Sequence, residues 1–209
     1  MNRRERKMRD LVSKGREKYG LCGVKAEFEA EGTRIDELLR LLDIASSANV
    51  DVAVKIGGCE AKRDLLEAKQ IGVQYVIAPM VETDYALSKY AQSVGSLIAA
   101  DEREDTDFLF NMETITGYNN RDEILRFASS SPHIDGVVFG RSDFTGSLGL
   151  EGDLVNSSEV TDYVLDISKR CSENGLDLVV GGGVSLDAIP ALSAIREIHL
   201  TRFETRKMV

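Results

Sequence analysis

Histidine is scarce in this chain. Only His133 and His199 occur, and neither has a metal-ligating companion at helical or strand spacing, which argues against a zinc site built on imidazole. A metal here would have to be bound by oxygen. Cysteine is equally sparse: Cys22, Cys59 and Cys171 form no C-x-x-C pair and no even framework, so they read as reduced thiols of a cytoplasmic protein. Proline occurs three times, and no apolar run approaches the length needed to span a bilayer. The first twenty residues are basic but contain Glu5, Asp10 and Glu17 and have no apolar core, which argues against a signal peptide. Positive charge is in deficit overall, with a formal net charge of −9. That balance repels phosphate backbones and anionic lipid, so neither nucleic acid nor membrane is an expected partner.

What the chain does contain is a globular composition, 43% hydrophobic over 209 residues, enough for one domain with a proper core. Met8, Leu11, Val12 and Tyr19 recur at helical spacing and predict an amphipathic helix over about residues 2–18, either packed on the domain or serving as an arm for an acidic partner. Thereafter short apolar runs (CGVKAEF, VDVAVKI, VQYVIAP, DFLFNME, DGVVFG, LDLVVGG, EIHLTRF) alternate with helical patterns. Repeated strand-then-helix implies parallel strands joined by crossovers. The expected fold is an α/β, TIM-type barrel over residues 1–209, with a doubly wound sheet as the alternative. Seven strands can be read, with no closing helix after the last. Either the opening helix covers the gap, or the chain is shortened, or a partner subunit completes the barrel. Apolar surface left uncovered there predicts a homo-oligomer.

Alternation within VKAEFE puts Val24, Ala26 and Phe28 on one face and Lys25, Glu27 and Glu29 on the other, the lumen face of a barrel. Lys55, Asn111 and Glu113 fall on the same face. Charges there must pair among themselves or bind something. Glu113, Asp143, the stretch from Pro79 to Glu82 and the run Gly181-Gly182-Gly183 all lie at C-terminal ends of predicted strands, where such barrels carry their active sites. Carboxylates from separate strands, without histidine or thiolate, suit Mg²⁺ or Mn²⁺. Glu113 and Asp143 are the expected metal ligands, with Arg141 and Ser142 beside Asp143 as candidate substrate contacts. The triple glycine before a helix start at Ser185 is either a tight turn or an anion cradle in which Gly182 and Gly183 would bind phosphate or carboxylate.

The stretches FLFNMETITGYNNRDEI and HIDGVVFGRSDFTGSLG together resemble the paired signature of the 4-hydroxy-2-oxoheptanedioate aldolase and citrate lyase beta-subunit family, and VKIGGCEAKRDLLEAKQIGVQYVIAPMVET is similar to two of its strands with their V-P-M-V turn. The resemblance covers about residues 24–150. It implies a phosphoenolpyruvate/pyruvate-type barrel and a lyase that binds a 2-oxo acid through a divalent metal held by Glu113 and Asp143, stabilising the enolate formed on carbon–carbon cleavage. Three departures accompany it. Lys55 stands where the family has a substrate-gripping arginine, a point charge in place of a bidentate fork. The D-x-E-H motif corresponds to Glu27-Phe28-Glu29-Ala30-Glu31, leaving Glu29 or Glu31 as the groups for proton transfer in place of the histidine. Phenylalanine and threonine in GRSDFT replace leucine and serine. The expected ligand is a small 2-oxo acid or sugar acid, contacted by Lys25 and Lys55. Two other readings remain: a Schiff-base aldolase using Lys25 or Lys55 as a desolvated amine, and a catalytically silent barrel that binds a sugar acid or a partner protein.

Overall fold

The computed structural model describes all residues from 1 to 209. Strands form where the β-branched runs lie: β1 (Gly23–Glu27), β2 (Asp51–Lys55), β3 (Tyr75–Ala78), β4 (Asp107–Met112), β5 (Gly136–Gly140), β6 (Asp177–Gly181) and β7 (Arg202–Phe203). The last is much shorter than the run EIHLTRF suggests, because residues 197–199 continue the end of the preceding helix and bond back to Ser193 and Ile195. The helices are α1 (Arg3–Tyr19), α2 (Ile35–Ala48), α3 (Lys62–Ile71), α4 (Asp84–Leu97), α5 (Ile115–Asn119), α6 (Arg121–Ser130), α7 (Arg141–Ser147), α8 (Ser158–Asn174) and α9 (Ile189–Arg196). α1 begins with a capping box, Asn2 accepting from the amides of Arg4 and Glu5 while Glu5 returns a bond to Asn2, which satisfies donors that the first turn would leave orphaned. No helix is long and apolar enough to cross a membrane.

All seven strands are parallel and lie in the order of the sequence. A doubly wound sheet reverses its order at a switch point; this one never does, which sets that alternative aside. The sheet is curled, and its first and last strands are bridged by the C-terminal tail. After β7 a tight turn, closed by Thr205 N–H to Met208 O at 2.8 Å, sends residues 207–209 back antiparallel along β1. Cys22 N–H donates to Val209 O, Val209 N–H to Gly23 O and Lys25 N–H to Lys207 O, each at 2.9 Å. The exposed edge of β1 is thereby covered, which removes a row of unpaired donors and acceptors.

The two faces of the sheet carry separate cores. Outward side chains join the helices in a cluster of 41 buried residues. Inward, Ala53, Ile77, Leu109, Val138 and Val179 form a small apolar belt of their own. The belt divides two polar ends. At the N-terminal ends of the strands stand Asp51, Asp107, Asp135 and Asp177 around Arg202, which pairs with Asp177 at 3.0 Å and lies over the Tyr75 ring. Burial, and then the Asp135 charge, push the Asp107 carboxyl above its ordinary pKa, with Arg202 opposing them.

A carboxyl whose folded pKa is raised penalises the folded state at neutral pH, and the penalty fades as pH falls through that pKa. Asp107→Asn is therefore expected to raise stability at pH 7, by about 1 kcal/mol or less since water still reaches the group. Thermal unfolding across pH should show the gain shrinking in acid; a variant less stable than wild type at pH 7 would contradict it.

Candidate active site

The C-terminal end of the curled sheet collects the other polar set. On β1 the inward position is Lys25, buried, whose ammonium lies 2.5 Å from Glu204 just past β7 and 3.2 Å from Glu27 at the end of β1. Lys55, closing β2, lies 3.8 Å from the second oxygen of Glu27. Glu204, Lys25, Glu27 and Lys55 thus alternate in charge across the seam between the last strand and the first. Burial acts to lower the Lys25 pKa, but Glu204 and Glu27 outweigh it and the net shift is upward. An amine nucleophile needs the opposite shift, and the structure holds Lys25 in ion pairs with Glu204 and Glu27.

Glu113, immediately after β4, is only 2% exposed. Its Oε1 accepts from the Met80 amide at 3.0 Å and its Oε2 from the Asn111 side chain at 2.6 Å. Met80 holds a left-handed backbone, φ 50°, uncommon for a side chain of its size; the turn from Pro79 to Val81 aims this N–H at the carboxylate. Burial raises the Glu113 pKa, the Lys55 charge and the two hydrogen bonds lower it, and the Asp143 charge raises it again. Room for Glu113 depends on Gly140, where a Cβ would stand 2.8 Å from Oε2.

Asp143 is exposed in the first turn of α7, a short helix that follows β5 without a loop and was not legible as one in FGRSDFTGSLG. Glu113 and Asp143 therefore face one another electrostatically at adjoining strand ends. Arg141 is placed differently from a substrate ligand. It is 1% exposed, and its guanidinium donates inward to the carbonyls of Gly181 and Gly182 and to Asn156 Oδ1, at 3.2, 2.6 and 3.0 Å. It pins the glycine loop to α7. Gly182, at φ 80°, packs so closely there that a Cβ would lie 2.4 Å from the Ser142 amide. Ser142 and Gly183 are exposed beside it.

The remaining candidates separate. Glu29 lies exposed on the rim after β1, its side chain against Gly57 of the neighbouring loop. Glu31 bonds to Arg206 at 3.2 Å and to Lys207, which ties the loop after β1 to the tail. Glu204, missed because the apolar run ends at Phe203, carries the alternation one residue further and was recoverable from it.

No set of three or more His, Cys, Asp or Glu side chains is arranged to hold a metal ion alone. Two carboxylates with the rest of the shell from water and substrate is the usual way a protein holds Mg²⁺. The donor chemistry here fits that pattern: two hard carboxylates that repel each other in the absence of a cation, and beside them the buried Asn111 Oδ1 with no hydrogen-bond partner.

The architecture is that of an aldolase-type α/β lyase. The sequence profile of the HpcH/HpaI aldolase/citrate lyase family matches residues 25–188, and the chain belongs to that family of carbon–carbon lyases. Among solved structures, an HpcH/HpaI aldolase from Desulfitobacterium hafniense DCB-2 superposes with a TM-score of 0.73 at 16% identity, covering 94% of this chain and 82% of that one. An HpcH/HpaI aldolase/citrate lyase family protein from Burkholderia cenocepacia J2315 gives 0.76 at 14% identity, over 96% and 83%. Macrophomate synthase gives 0.69 at 19% identity, over 95% and 75%. At such identities the likeness is one of fold. No curated protein sequence matches the chain.

Removing one member of a buried ion pair leaves the other uncompensated, at a cost of about 3–5 kcal/mol. Lys25→Met is expected to lose stability on that scale, and Lys25→Met/Glu204→Gln to lose clearly less than the sum of the single changes. Denaturant unfolding of the four proteins measures the coupling; strict additivity would show that the pair is not joined.

Proposed function

We propose that the protein is a divalent-metal-dependent aldolase-type lyase acting on a 2-oxo acid, or an aldol adduct of one, at the C-terminal mouth of a TIM-type barrel in which the tail takes the place of an eighth strand. The observation that carries the reading is the buried Glu113 carboxylate, faced by the Asp143 charge and by the Lys55 ammonium at the same end of the sheet.

Glu113 and Asp143 would hold the metal ion, Mg²⁺ or Mn²⁺, which supplies positive charge to the oxo group and neighbouring carboxylate as the carbon–carbon bond breaks. The protein's own groups do the rest. Met80 N–H and Asn111 fix Glu113 from two sides, so its orientation precedes substrate. Lys25 is neutralised by Glu204 and Glu27 and Arg141 is spent on the glycine loop. Lys55 is thus the cation left to grip a substrate carboxylate, with Glu27 holding it at the rim. Ser142 and the Gly182 and Gly183 amides offer further donors to an anionic end of the substrate. Glu29, on the rim where Ala30 takes the place of a histidine, is the group placed to exchange a proton with solvent.

Glu113→Gln and Asp143→Asn should each weaken Mn²⁺ binding at least about tenfold by paramagnetic resonance, with thermal stability unchanged or raised, because each removes a repelled charge. Unchanged Mn²⁺ affinity in both would end the metal reading. Lys55→Ala should lower kcat/KM on the substrate identified from a 2-oxo acid panel by about 10²-fold, and added metal should not restore it. Lys55→Arg separates two pockets: activity kept if the guanidinium fits, lost as in the alanine variant if the space is cut to a lysine. Wild-type turnover in Lys55→Ala would remove Lys55 from the mechanism. Borohydride with pyruvate should leave Lys25 and Lys55 unlabelled.

A further inference from the structure

Three consecutive residues of the turn that ends β3 are bonded to the end of β4 and to α5. Met80 N–H donates to Glu113 Oε1 at 3.0 Å, and Val81 N–H to the Asn111 carbonyl at 3.1 Å. Glu82 takes two bonds in return: its Oε1 accepts from the Thr114 hydroxyl at 2.7 Å and its carbonyl from the Asn120 side chain at 2.8 Å. Thr114 directly follows Glu113. Its hydroxyl oxygen also accepts from the Gly117 amide at 3.1 Å, capping α5, so a single atom joins the strand end, the helix and the turn. α5 comes so near that a Cβ at Gly117 would stand 2.8 Å from the Val81 carbonyl oxygen.

One residue of this turn is held against its own preference. Met80 has φ 50°, a left-handed backbone that a methionine seldom adopts and that persists only where the surrounding structure over-determines it. In that conformation its N–H meets the Glu113 carboxylate. Relaxing Met80 to an ordinary extended or helical backbone would turn the amide away. Pro79 fixes its own φ on one side of Met80. On the other side the restraint comes from Val81, through a backbone bond, and from Glu82, whose side chain and carbonyl are both tied to the segment that carries Glu113. Of these contacts, only the one between Glu82 and Thr114 is made between two side chains.

From this geometry we infer that Glu82 is a positioning residue: by holding Thr114 and Asn120 it keeps Met80 in its left-handed turn, and through the Met80 amide it sets the direction of the Glu113 carboxylate. Glu82 acts as a hydrogen-bond acceptor and not as a charge. Groups one step removed from a metal ligand orient it, and losing one costs about tenfold or more in affinity. The hold on Met80 stands on the hydrogen bonds alone; its consequence for a metal rests on the reading of Glu113 as a ligand.

Amide hydrogen exchange followed by NMR in the metal-free protein reads this hold directly. Glu82→Ala and, from the other end of the bond, Thr114→Val should each speed exchange at the Met80 amide by at least about fivefold, the worth of one side-chain hydrogen bond in a local opening equilibrium. Glu82→Gln, which restores the accepting oxygen without the charge, should keep the wild-type rate. Mn²⁺ affinity by paramagnetic resonance should follow the same order, about tenfold weaker in Glu82→Ala and unchanged in Glu82→Gln. Thr106→Val, which removes a hydroxyl bond to the Val73 carbonyl at the opposite end of the sheet, should leave both readouts at their wild-type values. A Met80 amide that exchanges at the wild-type rate in Glu82→Ala would overturn the inference. Faster exchange with undiminished Mn²⁺ affinity would reduce Glu82 to a structural contact and overturn it too, and a Glu82→Gln variant as impaired as Glu82→Ala would make Glu82 act by its charge. A wild-type protein that binds no Mn²⁺ would end the metal reading instead, with the Met80 exchange rates still deciding whether Glu82 holds the turn.

Discussion

A curled sheet with seven strands has a seam, and the ion pair of Lys25 with Glu204 lies across it. Both side chains point into the lumen, where a lone charge would be costly, so each holds the other's strand in place. Glu27 extends the pairing to Lys55, and Lys55 in turn bears on Glu113. The mouth of the sheet is therefore organised by one chain of alternating charges that starts at the seam. Moving β7 relative to β1 would break it between Lys25 and Glu204 and leave the Glu204 carboxylate without its cation.

The same principle accounts for the contrast between the two ends of the lumen. At the mouth, Glu204, Lys25, Glu27 and Lys55 alternate in charge, and Glu113 and Asp143 add two carboxylates beside them. At the opposite end four aspartates cluster around Arg202, which pairs with Asp177, and burial raises the carboxyl pKa values of Asp107 and Asp135. The apolar belt of Ala53, Ile77, Leu109, Val138 and Val179 keeps these two electrostatic environments from merging.

Much of this was legible in residue order. Period-two alternation in VKAEFE and FLFNME identified the lumen face, and with it Lys25, Glu27, Asn111 and Glu113, because burial of a strand face is enforced at every second residue. The helix α1 followed from its apolar spacing. What could not be read depends on contacts distant in sequence. Arg141 resembles a substrate ligand until Gly181 and Gly182, from another strand, are seen to take up its donors. Glu31 belongs to the loop after β1, and only the folded tail brings Arg206 and Lys207 to it. Lys25 carries the residue type of a Schiff-base amine, yet against the effect of burial its pKa is raised by Glu204, a residue 179 positions away, together with Glu27. The helix α7 was hidden because GRSDFTGS has two glycines and no apolar period, and its geometry comes from packing Phe144 into the core.

That separation of 179 residues also governs the order of assembly. Strands β1 to β6 can pair with their neighbours as they are made, each after one crossover. The cover of the outer edge of β1 and the second carboxylate partner of Lys25 come from the far end of the sequence, residues 207–209 and Glu204. Loop closure of that span is the slowest kind of contact to form. The seam is thus the most non-local boundary of the sheet, joining the first strand to residues near position 204. The charge pattern at the C-terminal end of the sheet therefore depends on contacts made by both ends of the sequence.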